Sequence, residues 1–154
     1  MADLFVVRHA HAGSRRDWPG EDALRPLDPR GARQAERLAE VLADRGIRRL
    51  VSSPAVRCVE TLRPLGKALD LDVEVDGRLA EGGAVADVLA LVAELAGKTA
   101  AVCSHGDVIP DLLDALAERG VELPARRKWQ KASTWVLRGG RSGPRSGTYV
   151  PPPR

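Results

Sequence analysis

The sequence has few aromatic side chains: three Trp, one Tyr and one Phe account for 3% of its 154 residues. Its core must therefore be built from Leu, Val and Ala, which suits helices packed on a sheet better than a β-sandwich. The sequence also lacks the basic stripes with interleaved aromatics that bind nucleic acids. The net charge of +3 is too small to indicate such a partner by itself.

Cysteine and histidine are equally scarce, with two Cys and three His in the chain. Cys58 and Cys103 have neither the spacing of a metal site nor that of a disulfide framework. The histidines and the scattered carboxylates likewise show no recognisable ligand spacing. We therefore expect no bound metal and no cofactor.

Long apolar runs are missing as well. No window approaches the length of a membrane span, and Met1-Ala2-Asp3 is not the basic start of a secretory leader. Hydrophobic and charged residues, at 44% and 29%, have the proportions of a globular domain. We expect a cytoplasmic protein with neither a membrane nor a nucleic acid among its partners.

Short apolar segments alternate with amphipathic ones along the chain. Strands are predicted at 4–7, 47–51, 71–75, 99–103 and 133–137, and helices at about 29–46, 54–69, 85–96 and 107–118. This alternation predicts an α/β fold. The expected architecture is a three-layer α/β/α sandwich whose central sheet is mostly parallel and covered on both faces.

Local signals place several boundaries. Asp28 and Ser53 are each followed by Pro, which indicates a helix that starts with a capping side chain and Pro in its first turn. Pro64 lies inside the second predicted helix and should kink or interrupt it. Residues 1–138 are expected to form the domain. The segment 139–154, rich in Gly, Ser, Pro and Arg, is either loose or adds a final strand.

Side chains suited to catalysis follow successive predicted strands. Arg8 and His9 end the first strand, Arg57 lies early in the helix after the second, Glu81 follows the third and His105 ends the fourth. In α/β sheets, ligand sites form beyond the carboxyl ends of the strands. We therefore expect these five side chains to meet at one edge of the sheet.

Two arginines, two histidines and a carboxylate fit the needs of phosphoryl transfer. Arginine binds phosphate oxygens bidentately, and Arg57 near a helix N-terminus adds N–H groups and a favourable dipole. His9 can attack phosphorus as the nucleophile, with His105 as a donor to the phosphoryl oxygens. Glu81 can protonate the leaving group and later accept a proton from the attacking water.

These segments resemble the signatures of the histidine phosphatase superfamily, the phosphoglycerate mutase-like group. The segment 6–10 is similar to its Arg-His-Gly/Ala motif, and 52–61 to its Ser-Ser-Pro-x-x-Arg-x-x-x-Thr motif. Ser104-His105-Gly106 is similar to its third motif. The resemblance extends from about residue 2 to residue 137.

The resemblance implies a role for each of the five residues. His9 would carry the phosphoryl group as a phosphohistidine, without a metal, and Glu81 would be the proton donor. The phosphate pocket would be formed by Arg8, Arg57 and His105.

The polar loop over residues 11–27 could close over the site. Ser14 and Arg15 are its candidate substrate-binding residues. Lys128 and Lys131 could meet a phosphoprotein or a nucleotide, although a solvated surface is the preferred interpretation.

Within the superfamily, the short chain resembles the compact phosphohistidine phosphatase branch. The segments 103–112 and 131–137 also resemble the histidine phosphatase domain that follows a Nudix domain in MutT-like hydrolases. The predicted activity is therefore hydrolysis of a phosphohistidine protein, a nucleotide or another small phosphorylated molecule. Two alternatives are a non-catalytic domain that binds phosphorylated ligands and a mutase, whose usual insertions this chain lacks.

Overall fold

A six-stranded mixed sheet forms the centre of the structure, a computed structural model that describes residues 2–154. The strands are β1 (Ala2–Arg8), β2 (Arg49–Ser52), β3 (Val73–Val75), β4 (Ala100–Ser104), β5 (Thr134–Gly140) and β6 (Gly143–Val150). The α-helices are α1 (Pro29–Leu42), α2 (Val56–Leu69), α3 (Val85–Glu94) and α4 (Val108–Glu118). Short 3-10 helices lie at Asp22–Leu24 and Gly77–Leu79.

The strand order is β3-β2-β4-β1-β5-β6. The first four strands in this order pair in parallel, whereas β5 and β6 pair antiparallel to their neighbours. Because parallel strands point the same way, the carboxyl ends of β1, β2 and β4 lie at one edge of the sheet. The predicted α/β architecture with a mostly parallel sheet is confirmed.

Helices cover both faces of the sheet. The apolar sides of α1 and α2 pack on one face, against residues such as Phe5 and Leu50. The apolar sides of α3 and α4 pack on the other face, where Val102 and Trp135 belong to the same cluster. Successive strand residues point to opposite faces, so each central strand contributes to both cores.

The start of α1 agrees with its sequence signal, whereas its end does not. The Asp28 carboxylate accepts a hydrogen bond of 2.8 Å from Gly31 N, and Pro29 is the first helical residue. The predicted end near Gly46 is wrong, because the helix ends at Leu42. The buried face of the helix also ends at Leu42, and Gly46, with φ of +74°, turns the chain towards β2.

Two expectations for α2 are wrong. The helix starts at Val56 and its N-cap is Ala55, so Ser53 lies two residues too early to cap it. The Ser53 hydroxyl accepts from Ala55 N at 3.3 Å and contacts a side chain outside the helix. Pro64 does not interrupt the helix, which continues to Leu69. Residues on either side of Pro64 are buried in the core, and this packing outweighs the hydrogen bond that Pro cannot donate.

The segment after residue 138 forms much of a hairpin at the edge of the sheet. Strand β5 extends through Gly140, so the boundary predicted at residue 138 lies inside this strand. Strand β6 pairs with β5 along most of its length. Met1, which begins the predicted domain, lies outside the described residues. Among residues 2–154, no helix has both the length and the hydropathy needed to cross a bilayer.

Candidate active site

A cavity of about 430 Å³ opens at the sheet edge where β1, β2 and β4 end. It is lined by Arg8, His9, Gly13, Arg15, Arg25, Arg57, Glu81, His105, Gly106, Asp107 and Lys131. The structure thus brings together the five predicted catalytic residues and Arg15. Ser14 is exposed and does not line the cavity, so its binding role stays a prediction.

His9 is buried at the end of β1, with 6% of its surface exposed. Its Nδ1 lies 2.9 Å from the carbonyl oxygen of Ala10. A carbonyl can only accept a hydrogen bond, so Nδ1 carries the proton and Nε2 keeps its lone pair. The Ala10 N–H in turn donates to the Thr61 hydroxyl at 2.9 Å, which anchors the turn after β1 to α2.

Burial, together with the nearby positive charges of Arg57 and Arg8, lowers the pKa of His9 to about 3. The hydrogen bond to the Ala10 carbonyl opposes this shift. His9 is therefore neutral at ordinary pH. A neutral imidazole with a free Nε2 is the form in which histidine acts as a nucleophile.

His105 follows β4 and is held on both ring nitrogens. Its Nε2 lies 2.8 Å from the Ser53 hydroxyl, with Cys58 Sγ at 3.5 Å, and its Nδ1 lies 3.4 Å from Arg57 Nη2. Arginine can only donate, so Nδ1 accepts and Nε2 carries the proton. The rings of His105 and His9 meet edge to face, with their centroids 5.4 Å apart.

Arg57 lies in the first turn of α2 and is the most buried arginine of the site, with 1% of its surface exposed. Its Nη1 donates to the Asp22 carbonyl at 2.8 Å, and its Nη2 lies 3.1 Å from the Asp22 carboxylate and 3.4 Å from that of Glu81. Its buried Nε has no hydrogen-bond partner among the described residues. Arg57 thus lines the cavity and has one unpaired donor.

Arg8 approaches the cavity beside Gly106. A Cβ at position 106 would lie 2.7 Å from Arg8 Cζ, so only glycine leaves room for the guanidinium in this position. Arg8 Nη1 donates to the Trp129 carbonyl at 2.9 Å, and its buried Nε has no partner within residues 2–154. Arg8 therefore also has donor capacity left for an anion.

The loop before α1 contacts three arginines of the cavity through Asp22. Its carboxylate oxygens lie 3.1 Å from Arg15 Nε, 3.0 Å from Arg25 Nε and 3.1 Å from Arg57 Nη2. Partial burial opposes ionisation, but the hydrogen bond from Arg25 and the charges of the arginines lower the pKa of Asp22. Glu81 joins this network, since its Oε1 lies 2.7 Å from Arg15 Nη2.

Sequence reasoning missed several contributors to the site. Asp22 appeared only as one acidic residue in a polar loop, although its spacing of three from Arg25 indicated a local ion pair. The sequence predicts a helix cap at Ser53 and a helix start at Asp107, and neither signal indicates a place in the site. Asp107 does accept from Val108 N at 2.8 Å, but it also lines the cavity and accepts from Gly82 N at 2.7 Å.

Lys131 also differs from expectation. It lines the cavity and is half-buried, so the interpretation of a solvated surface is wrong for it, whereas Lys128 is exposed as expected. No group of three or more His, Cys, Asp and Glu side chains within residues 2–154 is arranged to hold a metal ion.

The sequence and the fold agree with one family. Residues 4–86 match the histidine phosphatase superfamily (branch 1). The chain is 38% identical over 139 residues to an 8-oxo-(d)GTP phosphatase of Mycolicibacterium smegmatis. This match covers 87% of the chain but 43% of the relative, so the chain spans less than half of that protein's length.

Solved structures show the same fold. The protein histidine phosphatase SixA complexed with tungstate superposes with a TM-score of 0.77 at 25% identity, over 96% of this chain and 93% of that one. A mycobacterial glucosyl-3-phosphoglycerate phosphatase complexed with VO3 reaches 0.75 at 23% identity, over 97% of each chain, and shows the fold alone. The predicted resemblance to the compact phosphatases is confirmed, and the chain belongs to branch 1 of the histidine phosphatase superfamily.

Proposed function

We propose that this protein is a phosphatase that transfers a phosphoryl group to Nε2 of His9 and then to water, without a metal ion. The observation that carries the proposal is the orientation of the His9 ring and the position of its proton. Its Nδ1–H is bound to the Ala10 carbonyl, and its ring lies in a cavity that is also lined by Arg8 and Arg57. A neutral, oriented imidazole next to two phosphate-binding arginines is the arrangement that an in-line attack requires.

In the first step, the bond between His9 Nε2 and phosphorus forms as the bond from phosphorus to the leaving oxygen breaks. Arg8 and Arg57 neutralise the charge on the equatorial oxygens through donors that are unpaired or weakly paired among the described residues. A phosphoryl oxygen that replaces the contact of Arg57 with Nδ1 of His105 allows His105 to donate to it in the other tautomer, in which the ring proton is on Nδ1 and Nε2 accepts from the Ser53 hydroxyl.

In the second step, water attacks phosphorus and the bond to Nε2 breaks, which regenerates neutral His9 and releases phosphate. Glu81 is the carboxylate on which the proton movements depend. As an acid it delivers a proton to the leaving oxygen, and as a base it takes one from the attacking water. Its side chain is 44% exposed, which leaves room for exchange of protons with solvent.

Two substrate classes are supported by separate observations. The 38% identity to an 8-oxo-(d)GTP phosphatase favours a nucleotide. The likeness to SixA, a protein histidine phosphatase, favours a phosphohistidine protein. Both substrates present a terminal phosphoryl group that the same His9 chemistry can remove.

Phosphate release tests the proposal. Wild type would be assayed in EDTA with p-nitrophenyl phosphate, a phosphohistidine protein, nucleoside di- and triphosphates and phosphoglycerate. His9→Ala should lower turnover by at least about 10³-fold while circular dichroism shows an intact fold. His11→Ala is the matched control, because His11 lies two residues further along and does not line the cavity.

The competing interpretations make different predictions. Activity retained in His9→Ala would remove His9 from the mechanism, and a strict Mg²⁺ requirement would contradict the metal-independent reaction. No turnover of any compound by wild type, together with binding of orthovanadate, would indicate a non-catalytic domain that binds phosphorylated ligands. Exchange of phosphate between two forms of phosphoglycerate would indicate a mutase.

A further inference from the structure

The cationic side chains of the cavity fall into two groups. Arg15, Arg25 and Arg57 are each ion-paired with Asp22, and two of them also with Glu81.

Arg8 and Lys131 have no carboxylate within ion-pairing distance in the part of the chain that the structure describes. The two unpaired cations line the same cavity as His9.

The segment that carries Lys131 is fastened to the end of β1. Ala132 N lies 3.0 Å from the carbonyl oxygen of Arg8 and 3.2 Å from that of His9, and Arg8 N donates to the Ser133 carbonyl at 3.1 Å. Ala132 adopts a φ of +64°, which is unfavourable for a residue with a Cβ. Such strain persists only where surrounding contacts enforce it. Here these backbone contacts hold the chain so that Lys131 lines the same cavity as His9.

Lys131 is held in a strongly positive environment. Burial lowers its pKa, and the charges of Arg8 and Arg25 lower it further, while the smaller effect of Asp28 opposes them. An unpaired cation that is half-buried among other cations is unfavourable until an anion arrives. A cavity of this kind concentrates anions and binds those that carry more than one charge most tightly.

We propose that Lys131 forms a subsite for a second phosphate group, next to the phosphoryl group that Arg8 and Arg57 bind, so that the preferred substrate is a diphosphate ester such as a nucleoside diphosphate. This inference rests on the proposed function, with the terminal phosphoryl group placed at His9. The bond between the terminal phosphorus and the bridging oxygen breaks as Nε2 bonds to that phosphorus. The leaving group is a phosphate monoester, whose new negative charge Lys131 stabilises.

The subsite is also consistent with the ion pairs that Glu81 makes with Arg15 and Arg57. A phosphate leaving group departs without a strong acid, whereas an alkoxide does not. The Glu81 carboxylate contacts Arg15 and Arg57, which is compatible with a substrate whose leaving group needs little protonation.

Binding of non-hydrolysable probes tests the subsite without any turnover. Wild type, Lys131→Ala and Lys128→Ala would each be titrated calorimetrically with methylphosphonate, phosphonoacetate and methylenediphosphonate. Lys128→Ala is the matched control, since it removes the same charge from an exposed position three residues away. We expect methylenediphosphonate to bind wild type at least about tenfold more tightly than methylphosphonate, and Lys131→Ala alone to abolish this preference.

Two results would overturn the subsite: equal affinities of wild type for the diphosphonate and the monophosphonate, or the same loss in both lysine variants. Phosphonoacetate binding as tightly as the diphosphonate would overturn the assignment to a second phosphate, because a carboxylate would then serve equally well. Since binding does not require the reaction, a Lys131-dependent preference in a protein without turnover would refute the proposed function and leave the subsite in place.

Activity gives a second measurement where turnover is present. The ratio of kcat/KM for a nucleoside diphosphate to that for p-nitrophenyl phosphate should fall at least about tenfold in Lys131→Ala. It should stay near the wild-type ratio in Lys128→Ala. An unchanged ratio in Lys131→Ala would show that Lys131 does not select the substrate.

Discussion

The Asp22 carboxylate lies 3.1 Å from Nη2 of Arg57 and ties the loop before α1 to the most buried arginine of the site. The same carboxylate bridges Arg15 and Arg25. Asp22 therefore satisfies donors of arginines that line the cavity and suit a phosphate anion. This relationship links the stability of the loop to occupancy of the site.

Asp22→Asn should destabilise the protein by about 1–3 kcal/mol, because it removes the charge that holds buried guanidinium groups. Added phosphate should restore more stability to the variant than to wild type, since the anion replaces the lost carboxylate charge. Urea unfolding with and without phosphate measures both effects. Asp17→Asn, an exposed residue of the same loop, is the control, and equal stability of Asp22→Asn and wild type would contradict the bridging role.

Acidification should destabilise the protein partly through His9. The pKa of His9 is about 3 in the folded protein, whereas an unfolded histidine titrates near about 6.5. Between these values the unfolded chain binds more protons, so the contribution of neutral His9 to stability is complete above about pH 6.5 and is lost as the pH falls towards about 3.

His9→Asn should remove this part of the pH dependence. The slope of unfolding free energy against pH should decrease by up to about 1.4 kcal/mol per pH unit between about pH 4 and pH 6. Chemical unfolding of wild type and variant over this range measures the difference, in which the carboxylates common to both proteins cancel. Parallel curves would show that His9 does not resist protonation in the folded state.

Gly106→Ala should lower kcat/KM by about 10- to 100-fold with little effect on the fold, because the new Cβ would displace the Arg8 guanidinium. Steady-state kinetics with p-nitrophenyl phosphate and a thermal melt provide the measurements. Gly140→Ala is the matched control, since no atom lies within 4 Å of a Cβ at that position. Wild-type kinetics in Gly106→Ala would mean that Arg8 does not need its observed position.

Glu81→Gln should lower kcat most for the substrates with the poorest leaving groups. An alkyl phosphate needs protonation of its leaving oxygen and should lose about 10²-fold or more, whereas p-nitrophenyl phosphate should lose less. Comparing kcat for the two substrates measures the difference. Equal losses of kcat for the two substrates would show that Glu81 is not the acid. Its role would then be to contact Arg15 and Arg57.

The predicted catalytic residues could be brought together from sequence because each follows a strand or begins the next helix. Three of the strands concerned, β1, β2 and β4, are parallel neighbours. The predicted parallel sheet was therefore enough to place the residues at their carboxyl ends close together. The predictions for Ser53 and Pro64 are wrong. Ser53 has the local propensity of a helix cap, but its hydroxyl contacts His105. Pro64 has the local propensity to interrupt a helix, but core packing keeps α2 continuous.

The sequence by itself determined the α/β alternation and the chemistry at the strand ends, since both follow from local patterning and strand direction. Only the tertiary structure decided which charges are paired. Asp22 reaches Arg57 across 35 residues through a loop with no periodic pattern, and Lys131 reaches the cavity because Ala132 is bonded to the end of β1. Ion pairing depends on distances of a few ångströms in space, and no local sequence signal encodes distances between loops that are remote in the chain.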